Sequence, residues 1–285
     1  MQSFIIMFRE TLEAALVVAI VLSYLKRSGR CDYNISVYWG IAAGILLSIM
    51  GGWLFQLALG GFSGKNEQIF EGITMLIGAA LLTTMILWMM KQSSFTDAIK
   101  QKVELSQGKQ WGIFFLIVIS ILREGIESVI FLSAANFVSK DQNLLGAILG
   151  LLVAVLVSYL FIIGSLRISL KKFFLVTNIL LILFAAGLIA HGIHELQEAG
   201  LLPTLIQHVW DINPSAAGGD GYPLFHERGY LGSIGKDLFG YNGNPSLLEA
   251  LSYLLYLAVV VFIWRAINSR SRAGLNGIGS RRENR

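Results

Sequence analysis

Apolar positions run along this chain in long blocks separated by short polar or glycine-containing joints. Seven blocks stand out, at about residues 3–25, 37–59, 69–90, 111–137, 144–166, 173–197 and 247–268. A helix needs about 20 mainly apolar residues to cross the hydrocarbon core of a bilayer. A run placed there must also satisfy its backbone polar groups within itself, which for these lengths leaves only helices. The pattern predicts an all-α integral membrane protein of seven transmembrane helices, with residues 1–268 as the membrane unit and 269–285 as a basic cytoplasmic tail. Strands of a membrane barrel would be shorter and would alternate.

The joints carry the charge. Lys26, Arg27 and Arg30 follow the first block, Lys91, Lys100, Lys102 and Lys109 the third, Arg167, Lys171 and Lys172 the fifth, and a basic series from Arg265 to Arg285 the last. The alternate joints hold only Lys65, Lys140, Arg228 and Lys236. Positive charge gathers on the cytoplasmic side, so the N-terminus is expected outside and the C-terminus inside. The formal net charge of +4 is then topological and calls for no nucleic acid. A cleaved signal peptide would want a basic start and a clean apolar centre, and the first block has neither. With 55% hydrophobic and 14% charged residues, the composition is far from that of a soluble domain. The single Cys31 excludes an intrachain disulfide and any CxxC motif.

One joint differs in kind. Residues 200–245, expected outside the membrane, contain all four prolines and several aromatics, among them Tyr222, Phe225, Tyr230, Phe239 and Tyr241. A loop this long with so many aromatics is expected to pack as a cap.

Charged residues also interrupt two of the apolar blocks. Arg9, Glu10 and Glu13 form the pattern Arg-Glu-x-x-Glu, and Arg123, Glu124 and Glu127 repeat it 114 residues later. Three blocks fall in each such unit, and an odd number of spans per repeat inverts the second copy. Inverted repeats place ion sites near mid-membrane, at the interface of the halves. Within each motif Arg and the second Glu are four apart and can pair on the helix surface. The two motifs together hold two positive and four negative groups, and carboxylates within a membrane are functional candidates by default. Mutual neutralisation that clamps two helices is the plainer alternative. The surplus of carboxylate wants either a cation or protons.

A second cluster lies at the end of the sixth block. His191, His194, Glu195 and Glu198 share one helical stripe, and Glu67 and Glu71 begin the third block on the same side. Imidazole and carboxylate suit iron or manganese, whereas the thiolates that soft copper(I) prefers are absent. A solvated helix end is the plainer alternative here. His208 and His226 read as surface loop histidines.

At these residues the chain resembles the oxidase-dependent iron transporter family, over nearly its whole length. Arg9-Glu10-Thr11-Leu12-Glu13 and Arg123-Glu124-Gly125-Ile126-Glu127 match the family's paired Arg-Glu-Gly-x-Glu motifs. Phe70-Glu71-Gly72 matches its third-span motif, and His194-Glu195-x-x-Glu198-Ala199-Gly200 its sixth. Leu238 to Ser246 is similar to the stretch before its last span. The resemblance implies iron transport into the cytoplasm, with the glutamates of the paired motifs as ligands and iron as the transported substrate; no tightly bound cofactor is expected. It also implies coupling to oxidation of iron outside the cell, with an iron-delivering or iron-oxidising partner docking on loop 200–245. The expected membrane is the bacterial inner membrane. Iron is expected to be collected by Glu67, Glu71, His194, Glu195 and Glu198, with His191 in support, and passed to Glu10, Glu13, Glu124 and Glu127, whose carboxylates Arg9 and Arg123 orient. Thr11 departs from the family's glycine, so the two half-sites are not expected to match in full. Carriage of another divalent ion such as lead or manganese is the alternative, with a membrane-embedded di-iron oxidase behind it. With no phosphate-binding P-loop, ATP hydrolysis by this chain is not expected.

Overall fold

The computed structural model describes residues 2–91, 110–139, 144–162, 170–204, 206–212, 226 and 229–283. Among them the regular structure is entirely helical: α1 (Gln2–Arg27), α2 (Asn34–Leu59), α3 (Lys65–Lys91), α4 (Gln110–Ser139), α5 (Leu144–Ile162), α6 (Leu170–Glu198), α7 (Tyr230–Phe239) and α8 (Leu247–Glu283), with a short 3-10 turn at Cys31–Tyr33. Each apolar block falls within one of these helices, apart from residues 163–166, which lie outside the described residues. Four stretches are long and apolar enough to cross a membrane: Cys31–Ala58, Lys65–Trp88, Leu175–Glu198 and Leu247–Ala266. Leu144–Leu160 is a shorter apolar run, and α1 and α4 carry the charged motifs within otherwise apolar sequence.

Two elements extend the sequence reading. The expected tail continues α8 as helix to Glu283, and the 200–245 joint contains α7, whose Gly240 ends it at a φ of 64°. That left-handed conformation favours glycine. A side chain at Gly240 would in addition run into the backbone of Gly187 on α6, so the same residue stops one helix and seats it on another. Residues 206–212 return along the segment before α8, with Val209 N–H donating to Pro245 O at 3.0 Å and Ile212 N–H to Gly243 O at 2.8 Å. Tyr222 and Phe225 of the expected cap lie outside the described residues. So do Lys100, Lys102, Lys109, Lys140, Arg167 and Arg228. His208 is exposed, but His226 is buried, which corrects its reading as a surface residue: sequence position between apolar blocks does not by itself set a side chain's exposure.

The helices pack in pairs. α1 lies against α5, α2 against α4 and α3 against α6, while α1 also meets α4 and α6 meets α8. Between α2 and α4 the contact is a ladder of small residues. Side chains added at Gly40, Gly44 and Gly52 would crowd Ile117 at 2.9 Å, Ile121 at 2.8 Å and Val129 at 3.1 Å, and one at Gly125 of α4 would collide with Ser48 of α2. Small residues every fourth position let membrane helices approach closely where no hydrophobic drive exists between them. A shared core joins α1, α3, α4 and α6 through Ile6, Leu82, Phe131 and Leu188. Large apolar side chains such as Trp39 and Leu46 of α2, Leu145 and Leu152 of α5 and Phe262 of α8 point outward, as lipid-facing surfaces do.

One end of the bundle collects the starts of α1, α3 and α8, the end of α6, and α7. Gln2 Nε2 donates to Lys236 O at 3.3 Å, Gln68 Nε2 to Glu198 Oε2 at 2.9 Å, and His194 Nδ1 lies 2.9 Å from Glu249 Oε1. This end is called the rim below.

Candidate functional site

α1 and α4 each contribute one charged motif, and their contact brings the two together. Arg9 Nη1 donates to Glu10 Oε1 at 3.0 Å, and Arg9 Nη2 lies 3.2 Å from Glu13 Oε1. Arg123 Nε donates to Glu127 Oε1 at 2.9 Å and lies 3.6 Å from Glu124 Oε1. The i, i+4 pairing of Arg with the second Glu thus forms in both motifs, and each Arg reaches the first Glu as well.

Across the interface, Glu10, Glu124 and Glu127 each offer a carboxylate oxygen within 4.8 Å of the others. In each of the three residues Oε2 is buried with no hydrogen-bond donor among the described residues. A buried carboxylate oxygen left without a donor is costly, on the order of 1–3 kcal/mol or more. Three carboxylates that close on one another, each with an oxygen left without a donor, are what a cation would satisfy. Glu10 lies eight residues below Gln2 on α1, about 12 Å from the rim end of that helix at the rise of an α-helix.

The two halves are unequal. Arg9 is fully enclosed while the Arg123 side chain is 49% exposed, its guanidinium 6.0 Å from the Trp88 ring. Gly125 sits where α4 touches Ser48, whereas Thr11, at the matching place in α1, is half-buried.

The rim residues form linked pairs. His194 stands between two carboxylates, with Nδ1 2.9 Å from Glu249 Oε1 and Nε2 3.1 Å from Glu198 Oε1. His191 has its Nδ1 on Gly187 O of its own helix at 3.0 Å. Glu71 and Glu195 are half-buried nearby in sequence on α3 and α6, and Glu67 is exposed at the start of α3. Among the described residues, the three-carboxylate group of α1 and α4 is the one set of three or more such ligands that closes within 4.8 Å.

Glu249 was not singled out from the sequence. It is 1% exposed and accepts from Ser246 N–H at 3.0 Å and from Asn242 Nδ2 at 2.8 Å. The Glu249 N–H in turn lies 3.3 Å from Ser246 Oγ. This is a capping box, and its signature, Ser-x-x-Glu before an apolar run, is present in the sequence as Ser246-Leu247-Leu248-Glu249. The signature announces the start of α8; the bond to His194 needs the fold.

Comparison with known proteins gives a consistent result. The family model described as iron permease FTR1 family matches residues 1–272. A relative named ferrous iron permease EfeU from Yersinia pestis is 34% identical over 281 residues, covering 95% of each chain. Another of that name, from Escherichia coli O6:K15:H31 (strain 536 / UPEC), is 33% identical, covering 91% of this chain and 94% of its own. No solved structure matches the chain. A match across nearly the whole length, carried by a bundle whose buried carboxylates have the chemistry to take a cation, makes this chain a multi-pass membrane transporter rather than an enzyme: it belongs to the FTR1 iron permease family.

Proposed function

We propose that the protein carries iron from the outside into the cytoplasm through a mid-membrane site formed by Glu10, Glu13, Glu124 and Glu127. The observation that carries this reading is the convergence of the Glu10, Glu124 and Glu127 oxygens within 4.8 Å, each residue with a buried Oε2 lacking a donor among the described residues. Glu13 lies on Arg9 and is the ligand released when a cation takes over part of the arginine's neutralising role. Arg9 and Arg123 limit the negative charge of the empty site. Rim residues Glu67, Glu71, His194, Glu195 and Glu198 collect iron before it descends, with His191 in support.

Seven spans in two inverted three-helix repeats, followed by α8, suit this path. Exchanging α1, α2, α3 with α4, α5, α6 maps the main packing onto itself: α1 with α5 becomes α4 with α2, and the contacts of α1 with α4 and of α3 with α6 map onto themselves. Gly72 and Gly192 meet at the α3–α6 crossing, each within about 3.0 Å of a side chain built on the other's helix, where the axis of such a repeat would pass. The small-residue ladder of α2 also has a counterpart in α5, whose Gly150 lies against Phe4 and Phe8 and whose Ala154 packs on Leu12. With basic joints inside, the rim faces outward and the C-terminus lies in the cytoplasm of a bacterial inner membrane. An iron-delivering or iron-oxidising protein docks on the 200–245 segment at that rim. The relatives' names point to ferrous iron as the form received. Oxygen donors would also accept manganese, which competition during uptake distinguishes.

Uptake of radiolabelled iron by cells expressing Glu13→Ala or Glu127→Ala should collapse, and wild-type rates in both would sink the site. Flux of iron into liposomes holding the purified protein separates a path through this chain from a receptor role.

A further inference from the structure

Glu249 has more bonds than a helix cap requires. A capping box is complete with Ser246 alone, yet the Glu249 Oε1 that accepts from Ser246 N–H also meets His194 Nδ1 at 2.9 Å, and Oε2 is taken by Asn242 Nδ2 at 2.8 Å. With both oxygens occupied and 1% exposure, Glu249 cannot itself meet a cation. An ionised carboxylate only accepts hydrogen bonds, so the Nδ1 edge of His194 carries a hydrogen to Glu249, and the Nε2 edge, turned away from Glu249, is the one a cation can take by displacing the hydrogen it shares with Glu198. That edge lies 3.1 Å from Glu198 Oε1, and both side chains are substantially exposed, at 39% and 51%. The other oxygen of Glu198 is held by Gln68 Nε2 from α3 at 2.9 Å. Two potential ligand atoms are thus braced from behind by different helices.

We propose that Glu249 is a positioning residue for iron capture, holding His194 so that its Nε2 and the Glu198 carboxylate form a pre-oriented receiving edge at the rim. It fixes the ring's tautomer and direction as carboxylates behind metal-bound histidines do, where loss of the partner costs about 10- to 100-fold in metal affinity. The proposal rests on the reading of the rim as the iron-collecting end. It explains why a fully buried acid at the start of α8 is spent on a side chain of α6. The tie also makes the docking of α8 part of the rim's geometry, so a change in one is felt by the other.

Initial rates of radiolabelled ferrous iron uptake, normalised to protein in the membrane, test it in four backgrounds: wild type, Glu249→Ala, His194→Ala and the double variant. Alanine at 249 keeps the N–H that Ser246 Oγ caps. Glu249→Ala is expected to raise KM about tenfold with turnover per copy unchanged, and to add nothing to KM once His194 is alanine. In protein labelled with nitrogen-15 histidine, where only four histidines contribute, the same variant should move the His194 ring signals and leave the others in place. An unchanged KM in Glu249→Ala, or an equal rise in both backgrounds, would overturn the proposal. So would a wild-type KM in His194→Ala, which removes the rim reading while leaving the Glu13 and Glu127 experiment to judge the mid-membrane site. Should Glu249→Ala fail to reach the membrane, Glu249→Asp decides by the same criteria, since it keeps the charge at the cap and withdraws it from His194.

Discussion

Placing a single methyl on Gly125 tests whether the close approach of α2 and α4 sets the geometry of the proposed glutamate site. A side chain there would collide with the Cβ and Oγ of Ser48. Ser48 cannot yield by changing rotamer, because its Cβ is fixed to the backbone, and its hydroxyl donates to Gly44 O at 2.8 Å within α2. Ordinary carbon contacts need about 3.5–4.0 Å, so the helices would have to part by about 1 Å. The ladder on either side is also tight, with Gly44 facing Ile121 at 2.8 Å and Gly52 facing Val129 at 3.1 Å, so the separation spreads along the contact. Overpacking of this kind costs about 1–3 kcal/mol. If Glu124 and Glu127 hold iron as proposed, the functional cost is larger, because both ride on α4 beside the altered residue. Misplacing functional groups by about 1 Å can cost on the order of 100-fold. Gly125→Ala is therefore expected to lower iron uptake about 10- to 100-fold while protein remains in the membrane. Adding Ser48→Gly, which removes both colliding atoms, should restore most of it. Wild-type uptake in Gly125→Ala, or no recovery in the double variant, would refute the reasoning.

Two further outcomes follow from other parts of the molecule. Gly240→Ala combines a left-handed backbone position with a collision against Gly187; it should destabilise the purified protein by about 1–3 kcal/mol and speed proteolysis near α7, and an unchanged thermal midpoint would contradict the seating of α7 on α6. Iron at about 100 times its dissociation constant should stabilise the detergent-solubilised protein by about 2.7 kcal/mol, and Glu10→Gln with Glu124→Gln should abolish the shift; an equal shift in that variant would place the bound ion elsewhere.

The helices were legible because a membrane restricts what an apolar run can do. In α1, α2, α3, α4 and α6 the bounds run a few residues beyond the blocks, where polar ends such as Lys65 and Glu198 continue the helix. α7 was hidden because Tyr230–Phe239 is short and mixed in character, and its end is set by Gly240 meeting Gly187, a contact between residues far apart in sequence. The charged motifs were visible as exceptions to an apolar pattern. Thr11 in place of glycine signalled that the halves would differ, but the enclosure of Arg9 and the exposure of Arg123 were not legible, since they depend on what packs outside each helix.

Glu249 shows where the division lies. Ser246-x-x-Glu249 before an apolar run predicts a helix start by local hydrogen bonding, and that part needs nothing but neighbouring residues. Its bond to His194, 55 residues away, exists because α6 and α8 pack side by side. The same holds for Glu10 with Glu124 and Glu127. By itself the sequence determined that these carboxylates lie within helices of an apolar chain and that two motifs match, because periodicity and composition are local properties. Only the tertiary structure decided which carboxylates converge, which oxygens are left without donors and which histidine edge turns toward Glu198, because those depend on which helices pack together and how closely they approach.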